Sequence, residues 1–204
     1  VVIKCIKNKE DIEMSVLGEL QPNKVFQYFE EICAIPHGSR NLQQISDYLV
    51  DFAKAHGLKY RQDEDLNVII WKDGSKGYED SDPVILQGHM DMVAVKGSDC
   101  DKDMEKEGLD LEIDGDYILA KGTSLGGDDG IAVAYTLAVL DDEEMAHPPI
   151  EAIFTVNEEI GMLGAATIDV SDLKGRLFMN MDSEDEGVFT VSCAGGASVI
   201  CKIP

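Results

Sequence analysis

The stretch Val84-Ile-Leu-Gln-Gly-His-Met-Asp91 decides the fold. Val84-Ile-Leu-Gln reads as a continuous strand of the kind buried on both faces, the habit of parallel strands in α/β sheets. Past Gly88 the chain carries His89 and Asp91, two residues apart. In a strand extension such residues project to one side. An imidazole that binds a metal, next to a carboxylate that fixes its tautomer, has this pattern. An isolated H-x-D is usually a surface accident, so its recurrence elsewhere is what counts. Ala152-Ile-Phe-Thr-Val156 is a second apolar strand, followed by Glu158 and Glu159. Leu177-Phe-Met-Asn-Met181 is a third, followed by Asp182. Open α/β sheets place their ligands at the carboxyl ends of strands.

Outward from these strands the chain alternates with helices. Val25, Phe26, Phe29, Ile32 and Cys33 recur at helical spacing and predict a helix from Pro22 to Ala34, broken by Ile35-Pro-His-Gly-Ser-Arg40. A second helix is predicted from Gln44 to His56, stopped by Gly57. Strands are predicted at Asn67–Trp71 and Ile118–Ala120, and a buried helix at Gly130–Leu140. Leu163–Ile168 begins another helix. The acidic run from Asp99 to Asp116 reads as a surface excursion ending in a turn at Asp114-Gly115. The order implies an α/β fold: a mixed, mostly parallel sheet with helices on both faces.

Two further segments carry chemistry. Thr123-Ser-Leu-Gly-Gly-Asp-Asp-Gly-Ile-Ala132 sets two carboxylates at a glycine-rich turn opening a helix. One reading is a helix N-terminus with favourable charge, worth about 1 kcal/mol. The other is a carboxylate that bridges two cations, with glycines permitting close backbone approach. Glu158 and Glu159, adjacent at a strand end, are either an exposed acidic loop or a ligand beside a general base. After Asp182, Glu184, Asp185 and Glu186 read as a solvated turn.

Composition narrows the partners. Seventeen basic against 40 acidic residues give a formal net charge of -23. Such a field repels nucleic acid and anionic membrane, so neither is an expected partner, and it concentrates cations. Its plainest role is a well-solvated surface. No apolar run approaches the roughly 20 residues of a membrane span. Val1-Val-Ile-Lys-Cys-Ile-Lys7 is too short for a signal peptide. Cys5, Cys33, Cys100, Cys193 and Cys201 are odd in number with no C-x-x-C pair, which favours free thiols in a reducing cytoplasm. His37, His56 and His147 are each read as structural.

Taken in order, Leu86-Gln-Gly-His-Met-Asp-Met-Val93, Leu125-Gly-Gly-Asp-Asp-Gly-Ile131, Asn157-Glu-Glu-Ile-Gly-Met-Leu-Gly-Ala165 and Met181-Asp-Ser-Glu-Asp-Glu-Gly187 resemble the aminoacyl-histidine dipeptidase family (Xaa-His dipeptidase, PepD, cytosol non-specific dipeptidase). That family belongs to the co-catalytic zinc peptidases. Ile35-Pro-His-Gly-Ser39 and Ser192-Cys-Ala-Gly-Gly196 are also similar to family segments, so the likeness runs from about Gln21 to Gly196. Related zinc aminopeptidases and deacylases are the alternative, with Asp-Ser-Glu-Asp-Glu-Gly and Cys-Ala-Gly-Gly favouring the dipeptidase.

The resemblance implies a metal-dependent dipeptidase acting on Xaa-His and other dipeptides through water activated by two Zn²⁺, with Mn²⁺ or Co²⁺ as substitutes. His89 and Asp182 would bind one metal and Glu159 the other, with Asp128 bridging. Asp91 would orient His89, and Glu158 would be the general base. A non-proline cis peptide is implied after Asp128, where the family usually has Asn at position 129 rather than this chain's Asp. Family members run to more than twice this length. Residues 1–193 would be the N-terminal part of the catalytic domain and 194–204 the start of a lid and homodimerisation domain. A last histidine ligand would lie beyond the chain, which would leave the 204 residues inactive alone, or a non-catalytic remnant.

Overall fold

A computed structural model describes residues 15–183, 187–192, 195 and 201–203. The expectations for Val1–Lys7, Cys5, Cys193, Glu184–Glu186, most of the Cys-Ala-Gly-Gly segment and the boundary at 193/194 lie outside the described residues. The elements in chain order are α1 (Asn23–Cys33), α2 (Gln43–Ala55), β1 (Lys59–Gln62), β2 (Val68–Lys72), β3 (Val84–His89), β4 (Leu111–Asp114), β5 (Tyr117–Ala120), α3 (Gly127–Asp141), β6 (Ile150–Thr155), α4 (Leu163–Thr167) and β7 (Leu177–Asn180).

The main sheet runs β1-β2-β6-β3-β7. β6–β3 and β3–β7 are parallel, while β1–β2 and β2–β6 are antiparallel. The sheet is therefore mixed, and its parallel half is the part that bears the acidic strand ends. β4 and β5 form a separate antiparallel hairpin. It emerges from the acidic excursion and turns at Gly115, whose φ of 60° suits glycine.

Strand periodicity divides the core. Val68 and Ile70 of β2 pack with Ala152 and Phe154 of β6 against α1, α2 and α3, with Phe29, Ile32, Ile45, Leu49, Val133 and Leu137 in the same cluster. The residues between them, Ile69 and Ile153, turn to the opposite face with Ile85. There Trp71, Ile168 and Leu173 cover them. Helices α1–α3 thus flank one face, and Ile168 and Leu173, from the segment after α4, cover part of the other. β6 is buried along its whole length, as the central strand must be.

Candidate metal centre

Parallel register gathers the acidic residues. Gln87 pairs with Asn180 across β3–β7, so the same register carried two residues on sets Asp182 level with His89. His89 pairs with Thr155 across β3–β6, which sets Asp91 level with Asn157 and next to Glu158. Strands of like polarity end on the same edge, and three separate segments meet there.

The fourth segment is the start of α3. Gly126 is left-handed at φ 70°, and a Cβ there would meet the Met92 sulfur at 2.8 Å, so glycine allows the close approach. Asp128 and Asp129 are non-helical and joined by a cis peptide; the regular helix starts at Gly130. Asp128 points its carboxylate at His89, with Nε2 and Oδ1 3.0 Å apart. Asp129 turns inward, where its Oδ2 accepts the His89 backbone N–H at 3.1 Å.

His89 sits at the middle of this arrangement, 1% exposed. Its Nδ1 lies 2.8 Å from the Asp91 carbonyl and 3.6 Å from Asp91 Oδ1. A proton on Nδ1 donated to that carbonyl leaves the Nε2 lone pair for a metal. Nε2 lies 3.9 Å from Glu158 Oε2 and 4.0 Å from Asp182 Oδ2. Two overlapping triads have donor atoms within 4.8 Å of one another: His89, Glu158 and Asp182, and His89, Asp128 and Glu159. Imidazole with carboxylates and no thiolate suits catalytic zinc or a similar divalent ion.

Asp91 is a support under this group. It is 1% exposed, and its carboxylate accepts the Ser39 hydroxyl at 2.8 Å and the Glu158 backbone N–H at 2.9 Å. Burial alone would raise its pKa; the bonds from His89, Glu158 and Ser39 outweigh that and hold it low. It therefore stays charged, and it ties the β3 end to the turn that carries both glutamates.

The remaining carboxylates are under electrostatic pressure. Burial, then the field of Asp182 and Asp128, pushes Asp129 up to about 7 against the pull of His89. Glu158 and Glu159 are raised too, by burial first and then by neighbouring carboxylates. Burial opposes charge on His89, but Asp91, Asp129 and Asp128 together push it up to about 10. A cluster of negative groups that holds on to protons relaxes when a cation replaces them. The residues fit a metal.

All six sequence-derived site residues, His89, Asp91, Asp128, Glu158, Glu159 and Asp182, meet at this edge. Sequence reasoning assigned no role to Ser39 or to the inward Asp129, and it passed over Asn157, whose Oδ1 accepts the Arg40 N–H at 2.8 Å. Asp129 had a usable signal in its place beside Asp128 at a helix start. Ser39 and Asn157 had none, because their roles depend on which loops touch. The other histidines lie outside this cluster: His37 Nδ1 meets the Ile35 carbonyl, His56 bridges Phe52 and Asp141, and His147 meets the Pro148 carbonyl. Cys33, Cys100 and Cys201 are free thiols. Among the described residues no helix is long and apolar enough to cross a membrane.

No family model matches the chain. It is 41% identical to the cytosol non-specific dipeptidase of Escherichia coli (strain K12) over 183 residues, which cover 90% of this chain and 38% of that protein. The crystal structure of aminoacylhistidine dipeptidase from Vibrio alginolyticus matches with a TM-score of 0.82 at 41% identity, over 85% of this chain and 36% of that one. A tripeptidase from Staphylococcus aureus matches in fold, with a TM-score of 0.66 at 24% identity over 79% of this chain and 43% of that one. The chain spans well under half the length of each of these relatives.

Proposed function

We propose, for a chain that belongs by sequence and fold with the aminoacyl-histidine dipeptidases, that it carries the metal centre of a dipeptidase acting on Xaa-His and related dipeptides. The observation that supports this most is the convergence of His89, Asp128, Glu158, Glu159 and Asp182 on one sheet edge, with both glutamates holding their protons more tightly than usual. Two Zn²⁺ are the proposed ions, with Mn²⁺ or Co²⁺ as substitutes. His89 and Asp182 would hold one and Glu159 the other, with Asp128 as a further ligand.

A divalent ion bound there supplies Lewis acidity, polarising the scissile carbonyl and acidifying water. Every other part belongs to the chain. The Asp91 carbonyl, 2.8 Å from Nδ1, would accept a proton held there, which would turn Nε2 towards the metal. The Asp91 carboxylate anchors the backbone N–H of Glu158. That fixes where the Glu158 side chain starts and leaves its carboxylate free to accept a proton from water and return it to the leaving amine. Its raised pKa, from burial first, makes it a stronger base than an ordinary glutamate.

In this reading residues 1–193 belong to the catalytic domain and 194–204 lead towards a lid and dimerisation domain, and the protein works as a cytoplasmic homodimer. The test uses the full-length protein, with metal content and β-alanyl-histidine hydrolysis measured before and after chelation. Glu158→Ala should abolish turnover while about two metals per chain remain. Full activity after exhaustive chelation refutes the metal mechanism. Loss of metal from the Glu158 variant exchanges the roles of Glu158 and Glu159.

A further inference from the structure

Beside the acidic cluster lies a cavity of about 1080 Å³, walled by Glu159 and Ile160, by residues 38–41 and by the loops 92–96 and 101–106. Four cationic side chains line it: Arg40, Lys96, Lys102 and Lys106. Three of them are engaged within the wall. Lys96 Nζ donates to the Lys102 carbonyl at 2.6 Å. Lys102 Nζ donates to the Gly108 carbonyl at 2.6 Å and pairs with Asp110 at 3.1 Å. Lys106 pairs with Asp103 at 2.8 Å. The Arg40 guanidinium, by contrast, has no hydrogen-bond or ion-pair partner among the described residues.

Its backbone, unlike its side chain, is fixed. Arg40 is left-handed at φ 74°, an uncommon state for a residue other than glycine. Its N–H donates to Asn157 Oδ1 at 2.8 Å, and Asn157, itself at φ 54°, directly precedes Glu158 and Glu159. On one side Ser39 is bonded to Asp91; on the other, Asn41 Nδ2 donates to the Glu105 carbonyl at 2.9 Å. A sparsely populated backbone state held by its neighbours, with a free charged group at its tip, is where function concentrates. One hydrogen bond and one residue separate the Arg40 backbone from the acidic pair.

We propose that Arg40 recognises a carboxylate of the peptide substrate, in the cavity next to the bond being cleaved; this rests on the peptidase reading of the metal centre. A guanidinium binds a carboxylate through two parallel N–H···O bonds, and of the four cations that line the cavity Arg40 is the one not engaged within the wall. A short peptide offers that carboxylate at its C-terminus or on an acidic side chain.

The experiment uses the full-length protein loaded with Zn²⁺ and three substrates: Ala-His, Ala-His amide and Glu-His amide. Arg40→Asn removes the charge with a residue that tolerates the left-handed backbone; Arg40→Lys retains charge without the fork. For the recognised carboxylate, Arg40→Asn should raise KM by about tenfold or more with kcat nearly unchanged, and Arg40→Lys should recover part of the loss. An effect on Ala-His alone assigns the C-terminal carboxylate; an effect on Glu-His amide alone assigns the side chain. Equal KM values for wild type and Arg40→Asn on all three overturn the inference, as does a fall in kcat with KM unchanged. A wild type that cleaves none of them refutes the peptidase reading instead. Calorimetric binding of the same peptides then still tests Arg40: tenfold weaker binding by Arg40→Asn supports its role, and equal binding overturns it.

Discussion

Asp129→Asn in the metal-free protein should flatten the fall of stability with pH. Asp129 is 2% exposed and its pKa stands at about 7, against 3.8 for an ordinary aspartate. A carboxyl whose folded pKa is raised binds its proton more tightly in the fold than in the unfolded chain. Its contribution is fully present below 3.8 and is lost as pH rises towards 7, at about 1.36 kcal/mol per pH unit. Between about pH 4.5 and 6.5 the wild type should therefore lose about 2.7 kcal/mol that the variant keeps. Asn is nearly the same shape, and its carbonyl oxygen can still accept the His89 N–H. His89 titrates in a higher window, from 6.5 to about 10, so it does not overlap. Glu158 and Glu159 are common to both proteins, and their shifts cancel in the difference.

The assay is urea denaturation in the presence of chelator at several pH values across that window. Wild-type stability should fall relative to Asp129→Asn with a slope near one proton. Parallel pH profiles for the two proteins would refute the reasoning, because they would mean that Asp129 carries its charge in the fold without penalty.

Gly88→Ala should loosen the centre from behind. A Cβ at Gly88 would stand 2.8 Å from Asp129 Oδ2 and 3.0 Å from Ala132 Cβ, forcing β3 and α3 apart. The expected loss is about 1–3 kcal/mol of stability, read by urea denaturation, with weaker zinc binding by calorimetric titration. Phe154→Ala empties the middle of the main cluster at a fully buried position on β6. It should cost about 3–5 kcal/mol with an unchanged urea m-value.

Much of the fold was legible because apolar runs and helical spacing report burial directly. The helices read at Pro22–Ala34 and Gln44–His56 lie within a residue or so of α1 and α2, and the helix read from Gly130 is where α3 becomes regular. Two strands escaped. β1, Lys-Tyr-Arg-Gln, is an edge strand with no core-facing alternation, and β4 lies in the acidic run with only Leu111 buried. Both are held by pairing with a neighbour, which leaves little mark on composition. Nor did chain order show that β6 inserts between β2 and β3, since that insertion is decided by α3 crossing over the sheet. Within the site, the strand ends pointed to His89, Asp91, Glu158, Glu159 and Asp182, while the family resemblance singled out Asp128 from the aspartate pair. The place of Asp129 beside Asp128 marked it as a candidate, but not its inward turn, because two adjacent aspartates look alike until the backbone sends them to opposite sides.

That backbone arrangement couples the centre to the fold. His89, Asp128, Glu159 and Asp182 come from β3, the start of α3, the turn after β6 and the end of β7. They meet only once β6, β3 and β7 pair in register, so an unfolded chain offers no comparable site. An ion that binds only the folded form stabilises it by an amount set by its concentration over its Kd, about 2.7 kcal/mol at a hundredfold excess. This is of the same size as the stability that Asp129 alone is expected to surrender across the acidic pH range. The crowding that makes the metal-free cluster expensive near neutral pH is thus also what a divalent cation relieves. Metal affinity and fold stability should therefore rise and fall together across variants of this edge. A variant such as Gly88→Ala, which replaces none of the proposed ligands, should lower both.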